Sequence, residues 1–366
     1  MIKIDFKTAA IAALAISAAA CQQNVEAGNT ATQEDSTSVV KVVEPVYVSD
    51  QVRFDTDDPA IWVNPKDASK SIIFGTDKDE NGALFAFDLK GKIIADKVVD
   101  SLQRPNNADV EYGLMAGDSA IDIAVVAERF THKIRVYRLP DMLPIDNGGI
   151  DAFVGEKGEE FRDLMGISSY RNPADGKVYV IVGRKNGPTD GTYLWQYELT
   201  ANSPESVSAE LVRKFGAYSG KKEIEAIAVD DELGYIYYCD ENVGVRKYYA
   251  DPAKGNEELA MFGEGKFADD NEGIAIYKTE GGKGIIFVSD QQATRLAAFP
   301  REGADNGAHN HPLLGYVAYK ALETDGIEIV SQPLNKDYPK GILVAMSEGK
   351  TFHLYSMKDI LEALKK

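Results

Sequence analysis

Six similar strand starts recur along the chain at intervals of 47 to 60 residues. Each start is followed by a loop with Asn, Asp, Gly or Pro, then an apolar run, a polar corner and a run that ends in an aromatic residue. The starts read DPAIW at Asp58, DVEY at Asp109, MGISSY at Met165, EAIAV at Glu225, EGIAI at Glu272 and DGIEI at Asp325. A period of about 50 residues with several short strands per unit predicts an all-β protein, a six-bladed β-propeller.

Five of the six starts carry an acidic residue, and Met165 is the exception. The first strand of each blade lines the central channel of a propeller, so equivalent strand starts meet at one end of that channel. The pattern therefore predicts a ring of carboxylates at one mouth of the channel.

A polar corner follows the second strand of each blade. Adjacent strands are antiparallel, so the second strand ends where the first began, and the corners lie at the same mouth. The corners are Asp77-Lys78, Glu128-Arg129, Arg184-Lys185, Asp240-Glu241, Asp290-Gln291 and Ser347-Glu348. The first three contain basic residues and the last three contain none, which predicts a mouth with a basic half and an acidic half.

The two halves indicate different ligands. Lys and Arg recognise phosphate oxygens, and Arg does so with a two-pronged fork. Clustered Asp and Glu bind hard divalent cations, and many oxygens on flexible loops favour calcium over magnesium. Both halves together suit a polyanion held by side chains and cations. The alternative is a solvated charged rim with no site.

The net charge of −18 argues against nucleic acid as a partner. It does not exclude an anionic small molecule, but such a molecule would need local cations in order to enter. The apolar content of 44% is ample for a buried core. No Ser-His-Asp order or glycine-rich phosphate loop stands out, and HNH at 309–311 is interpreted as an exposed polar loop.

The amino terminus has the features of an export signal. Lys3 and Lys7 flank an Ala-rich stretch that ends at Cys21, so we expect a signal peptide at 1–20. The sequence SAAAC is similar to a bacterial lipoprotein signal, which would leave Cys21 acylated; ordinary cleavage after Ala20 is the alternative. We expect an exported protein, lipid-anchored in the bacterial cell envelope or secreted, that contacts a membrane only through this lipid.

The remaining chain divides into two parts. Residues 21–38 are polar and predict a disordered tether, and 39–366 form the propeller domain. The segment 39–48 could supply the outer strand of the last blade and close the ring. Residues 357–366 have the apolar spacing of a short helix. Cys239 is expected to be a buried thiol.

Several segments resemble the β-propeller phytases, in order and with similar spacing from about residue 40 to the end. The segments are DTDDPAIWVNPKD at 55–67, NNADVEY at 106–112, EIEAIAVDDELGYIYYCDE at 223–241, DNEGIAIY at 270–277 and ETDGIEI at 323–329. The resemblance implies a secreted, calcium-dependent phosphomonoesterase of the 3-phytase type. Its substrates would be phytate (myo-inositol hexakisphosphate) or other phosphate esters as calcium complexes, with release of inorganic phosphate. We expect a monomer with no cofactor other than calcium.

The resemblance also implies roles for individual residues. The positions that match the calcium-lined mouth are Asp57, Asp58, Asp109, Glu225, Glu241, Asp270, Glu272 and Asp325. Four of them, Glu225, Glu241, Asp270 and Glu272, match positions that hold calcium and the attacking water. Lys78 and Arg129 match phosphate-binding positions and complete the catalytic set. Lys185, or Arg184 by an alignment shift of one residue, matches a further basic position in the cleft.

The chain departs from the family pattern in three places. Met165 stands where the family often has Tyr, ALE at 321–323 replaces a further acidic TDG, and AMSEG at 345–349 replaces an AQDG type. Two other functions remain open at this point. One is a calcium-dependent propeller lactonase, which would not need the basic cluster, and the other is a non-catalytic surface-binding propeller.

Overall fold

The computed structural model describes residues 42–304 and 306–365. Within these residues the strands form six sheets, and the first strand of each sheet contacts the first strand of the next sheet around a closed ring. The all-β, six-bladed prediction is confirmed. The predicted signal peptide, acylated Cys21 and tether lie outside the described residues and stay predictions.

The strands follow the predicted repeat. The outermost strand β1 spans Tyr47–Val48 and joins the last sheet. Blade one contains β2 (Thr56–Trp62), β3 (Ile72–Asp77), β4 (Gly82–Phe87) and β5 (Val99–Leu102). Blade two contains β6 (Pro105–Ala116), β7 (Ser119–Glu128), β8 (Lys133–Leu139), β9 (Leu143–Pro144) and β10 (Ile150–Asp151). Blade three contains β11 (Leu164–Arg171), β12 (Val178–Arg184), β13 (Leu194–Ser203) and β14 (Ser206–Phe215).

The second half of the ring repeats this pattern. Blade four contains β15 (Ile227–Asp230), β16 (Tyr235–Asp240), β17 (Gly244–Tyr249) and β18 (Ala260–Phe262). Blade five contains β19 (Ile274–Lys278), β20 (Gly284–Asp290), β21 (Arg295–Pro300) and β22 (Gly315–Ala318). Blade six contains β23 (Ile327–Val330), β24 (Ile342–Ser347) and β25 (Thr351–Ser356). The helix α1 (Met357–Leu364) follows, and short 3₁₀ turns lie at Ala68–Lys70, Ala95–Lys97, Pro252–Lys254 and Glu280–Gly282.

The ring is closed by strand β1 from the amino-terminal side. Tyr47 pairs with Leu354 and Val48 with His353 in antiparallel register. The hydroxyl of Ser49 accepts a further hydrogen bond from the Phe352 N–H at 2.8 Å. The first and last segments of the domain thus share one sheet, as predicted for the part of 39–48 that the structure describes.

The core consists of six apolar layers, one between each pair of neighbouring blades. For example, Trp62 and Phe74 of blade one pack with Val126 of blade two, and Phe352 of blade six packs with Phe87 of blade one. Alternating side chains give the inner strands two faces, and each face is buried against a neighbouring blade, as in β3, β4 and β12, whose residues are all buried. No helix among the described residues is long and apolar enough to cross a membrane.

Two expectations about single side chains had different outcomes. Cys239 is a buried free thiol, as predicted. The interpretation of HNH as an exposed loop holds for His309 but is wrong for His311, which is buried beside the Lys247 ammonium. The ring of His311 packs on Phe262 of blade four, so its place depends on a contact across two blades.

A hydrogen bond to the incoming loop recurs at the end of every second strand. The side chain of the last residue binds the backbone of the loop that arrives from the previous blade. The pairs are Asp77 with Phe54 and Asp55, Glu128 with Gln103, Arg184 with Phe161, Asp240 with Ser219, Asp290 with Ala268 and Ser347 with Leu322. The first residue of each polar corner therefore has a structural role, and the second residue is left to face the mouth.

We expect Asp77→Ala to destabilise the fold. Asp77 is fully buried, and one of its oxygens accepts hydrogen bonds from the Phe54 and Asp55 N–H groups at 2.8 and 2.9 Å. Loss of that acceptor should lower the free energy of unfolding by about 1–3 kcal/mol. Urea unfolding measures this, with Glu80→Ala as the control because Glu80 is exposed in the same corner. Equal stability of the two variants would contradict the structural role of Asp77.

Candidate functional site at the channel mouth

The second residue of each corner forms a ring around the mouth. In all six blades its backbone N–H donates to a carbonyl of the incoming loop, which fixes where its side chain begins. The donor–acceptor pairs are Lys78 to Asp55, Arg129 to Arg104, Lys185 to Asp163, Glu241 to Glu223, Gln291 to Asp270 and Glu348 to Leu322. One backbone contact thus places three cationic, one amide and two acidic side chains at equivalent positions.

The starts of the inner strands supply a second set of groups, and a glycine helps to place them. A Cβ atom at Gly166 would overlap the carbonyl oxygen of Glu225. Only glycine permits this close approach of blades three and four. The Glu225 backbone is held at the channel for this reason.

Lys78 lies between two carboxylates of different blades. Its ammonium is 2.8 Å from Asp57 Oδ1 and 3.0 Å from Asp325 Oδ2. Burial alone would lower the pKa of Lys78, but the two carboxylates outweigh it and raise this pKa. Lys78 is therefore a permanent cation of the mouth.

Arg129 forms no ion pair with any described residue. Its Nε donates to the Leu164 carbonyl at 3.4 Å, and its Nη2 contacts the sulfur of Met165. Met165, the departure from the family pattern, is thus beside the predicted phosphate-binding arginine. A thioether is only a weak acceptor, so the guanidinium keeps capacity for an anion.

Arg104 is a second arginine on this half, and no sequence motif predicted it as a site residue. Its Nε has no hydrogen-bond partner among the described residues, and its guanidinium lies over the Phe130 ring at 5.7 Å. Burial lowers the pKa of Arg129. Attraction to Glu225 opposes this shift, and repulsion from Arg104 adds to it. The Arg129 backbone N–H also donates to the Arg104 carbonyl at 3.0 Å, so the two arginines are neighbours on this half of the mouth.

Buried amides connect the carboxylates of the mouth. Asn106 Nδ2 donates at 2.9 Å to both Asp57 Oδ2 and Glu225 Oε1. Gln291 Nε2 donates to Glu272 Oε2 at 2.5 Å and to Asp325 Oδ1 at 2.7 Å. These amides hold acids of different blades in fixed positions, and neither was predicted as a site residue.

Two overlapping groups of three carboxylates could each hold a metal ion. One contains Glu223, Glu225 and Glu241, and the other contains Glu241, Asp270 and Glu272; within each group the oxygens lie within 4.8 Å of one another. That spread is about twice a calcium–oxygen distance. Glu241 belongs to both groups, is 1% exposed, and neither of its oxygens has a hydrogen-bond partner among the described residues.

The raised pKa values of these acids favour binding of a cation. Burial, and after it the neighbouring Glu223 and Glu225, raise the pKa of Glu241 to about 9. Burial and Asp57 raise the pKa of Glu225 to about 7. A buried carboxylate without a hydrogen-bond partner is unfavourable, and a cation that binds its oxygens removes the penalty. The donor set therefore fits a hard divalent ion.

Six of the eight predicted metal ligands meet at the mouth, and two do not. Asp58 and Asp109 face a cavity of about 820 Å³ inside the channel. Asp58 accepts from the Ala108 N–H at 3.1 Å, and Asp109 Oδ2 accepts from both Ser168 and Ser169. The structure does not bring these two side chains to the other six, because they tie each inner strand to the next one.

Arg184 and Lys185 were alternatives for one basic position. Arg184 is fully buried and donates to Tyr193 O at 3.0 Å, to Thr192 O at 3.0 Å and to Glu156 at 2.8 Å. The Arg184 side chain therefore lies within blade three and its incoming loop and not at the surface of the cleft. The side chain of Lys185 is 33% exposed, and its ammonium pairs with Glu223 of the first carboxylate group.

Comparisons with known proteins agree with this geometry. The family model of the phytases matches residues 4–353. The 3-phytase of Bacillus subtilis (strain 168) is 29% identical over 311 residues, which cover 82% of this chain and 76% of that protein.

Two solved propellers are more distant. The Dos1 propeller has a TM-score of 0.42 at 10% identity, and the match covers 82% of this chain and 67% of the Dos1 chain. The WD40 β-propeller domain of Doa1 has a TM-score of 0.47 at 8% identity, and the match covers 86% of this chain and 96% of the Doa1 chain. Both scores are below 0.5, so the blade count rests on the chain's own sheets.

We expect the chelator-treated protein to lose stability as pH rises. Glu241 has a pKa of about 9 in the fold against 4.5 unfolded, so between these values the folded chain binds more protons than the unfolded chain. The melting temperature should fall from pH 5 to pH 9, and Glu241→Gln should flatten this slope. Glu348→Gln, at the equivalent exposed corner of blade six, is the control, and an equal slope in both variants would contradict the assignment.

Proposed function

We propose a calcium-dependent mechanism for this chain, which belongs to the phytase family. The chain is a phosphoric monoester hydrolase of the 3-phytase type and hydrolyses phytate. Family membership favours this reaction over the lactonase and the surface-binding propeller that the sequence left open. The observation that carries the proposed mechanism is Glu241, a buried carboxylate with no hydrogen-bond partner among the described residues, shared by two groups of acids.

The two groups at the mouth would hold the calcium ions. Their donors are all carboxylate oxygens, which are the ligands of hard cations, and the loops that carry them tolerate the irregular coordination of calcium. Glu223, Glu225 and Glu241 would hold one ion, and Glu241, Asp270 and Glu272 would hold another. Bound calcium would lower the pKa of a coordinated water and offset charge on the phosphoryl oxygens.

The cations of the chain would bind the phosphate. Arg129, with no ion pair among described residues, can present a two-pronged donor to phosphoryl oxygens. Lys78 is fixed by Asp57 and Asp325 and adds a point charge at the same mouth. Fixed donors aimed at phosphoryl oxygens stabilise the charge that develops there during hydrolysis.

Buried acids and amides would orient the attacking water. Asn106 donates at 2.9 Å to both Glu225 and Asp57 and so holds these two carboxylates in position. A carboxylate in a fixed position can accept a hydrogen bond from water and direct its lone pair. We therefore assign the orientation of water to Glu225 and its immediate carboxylate neighbours.

We expect chelation to abolish phosphate release from phytate and to lower the melting temperature. Calcium that binds only the folded state adds to its stability by mass action. The measurement is inorganic phosphate release and thermal unfolding before EGTA treatment, after it, and after calcium is restored, with magnesium as the control ion. Full activity in excess EGTA, or full restoration by magnesium alone, would contradict the calcium assignment.

Arg129→Ala should lower kcat/KM for phytate by about 10- to 100-fold, because charge-assisted hydrogen bonds to phosphate are lost. Lys78→Ala should cost less, since it removes a point charge and not a fork. Steady-state phosphate release at saturating calcium measures both. Arg138→Ala is the control, because Arg138 pairs with Asp141 at the far end of blade two. Wild-type kinetics of Arg129→Ala would remove Arg129 from the phosphate site.

A further inference from the structure

Lys222 places an ammonium group among the carboxylates of the acidic half. It lies in the loop between blades three and four, after β14 and before β15. Its Nζ is 2.5 Å from Asp270 Oδ1 and 3.7 Å from Glu241 Oε2. Two of the three acids of one candidate metal group therefore share a single lysine.

This contact differs from an ordinary surface ion pair. The two acids belong to different blades, since Glu241 follows β16 of blade four and Asp270 precedes β19 of blade five. Their side chains are 1% and 9% exposed, whereas the Lys222 side chain is 45% exposed. A half-exposed cation therefore contacts a buried pair of acids from the solvent side.

The neighbouring lysine has no such contact. Lys221 is exposed, and its Nζ donates to the Asn242 carbonyl at 3.4 Å. The two lysines have the same charge and the same stem, and they differ in what their ammonium groups touch. The contact of Lys222 with these acids is therefore specific to its position and does not follow from the positive charge of the loop alone.

We propose that Lys222 is an intramolecular competitor for calcium at the Glu241–Asp270–Glu272 group. The inference rests on the proposed function, in which this group holds a calcium ion. Without the ion, the Lys222 ammonium offsets the repulsion between buried acids. With the ion, the same acids bind calcium, and the flexible lysine stem lets the ammonium move toward solvent. Lys222 thereby sets the calcium concentration at which the group fills.

The competition predicts two effects of one substitution: a less stable metal-free fold and tighter calcium binding. Lys222→Met keeps the stem length and removes the charge, so the metal-free fold loses its counter-ion and its melting temperature should fall. Calcium no longer has to displace an ammonium, so the Kd of calcium at this group should fall by roughly two- to fivefold, as expected for a half-exposed ion pair. A purely structural role would lower stability without tighter calcium binding.

The experiment uses the full chain after EGTA treatment and desalting, with calcium titrated by calorimetry and melting temperature measured at each calcium level. The variants are Lys222→Met, the matched Lys221→Met and the charge-preserving Lys222→Arg. We expect tighter calcium binding and a lower metal-free melting temperature only in Lys222→Met, and wild-type behaviour in the other two.

The outcomes separate this inference from the proposed function. Glu241→Gln, titrated in parallel, should weaken calcium binding. If it does, and Lys222→Met binds calcium no more tightly than Lys221→Met, the competition is overturned while the calcium site stands. If the wild-type chain binds no calcium, the proposed function fails and the competition fails with it.

Discussion

The arrangement of the mouth depends on one hydrogen-bonded contact that is repeated in every blade. A side chain at the end of each second strand binds the backbone of the incoming loop, and the next residue donates its N–H to that same loop. The contact joins segments from neighbouring blades, so it ties the ring together. It also sets the backbone position of one residue per blade at the mouth, which makes the ring of mouth residues a product of the fold.

The repeated contact brings many carboxylates together at the channel mouth, and their proximity is unfavourable for the fold. Burial, and after it repulsion from neighbouring carboxylates, raises the pKa of Glu225 and of Glu241. The chain offsets part of this with Asn106, Gln291 and the Lys78 ammonium. Glu241 has no hydrogen-bond partner among the described residues, and the Lys222 ammonium lies 3.7 Å from its Oε2. Groups that disfavour the fold but suit a ligand are expected at functional sites.

The same electrostatics explain how an acidic protein can act on a polyanion. With a net charge of −18, the surface as a whole repels phytate. Arg129, Arg104 and Lys78 provide local attraction on one half of the mouth. The acidic half gains positive character only when cations fill it, so metal and substrate binding are expected to depend on each other.

Much of this could be read from the sequence, because it follows from local repeats. The period of the strand starts determined six blades, and the antiparallel alternation put strand starts and corners at one mouth. Resemblance to the phytases then identified Asp57, Glu225, Glu241, Asp270, Glu272 and Asp325, which the structure does bring together.

The tertiary structure decided which neighbouring residue faces the site. Arg184 and Lys185 are adjacent and both basic, yet Arg184 is used by backbone carbonyls of its own blade and the loop before it, and only Lys185 remains. Asp57 and Asp58 diverge in the same way. Lys222 and Asn106 reach their partners only through contacts between blades, over sequence separations of 48 and 119 residues. A repeat predicts where such residues lie along each blade, but side-chain contacts between blades are set by packing, which sequence spacing alone does not encode.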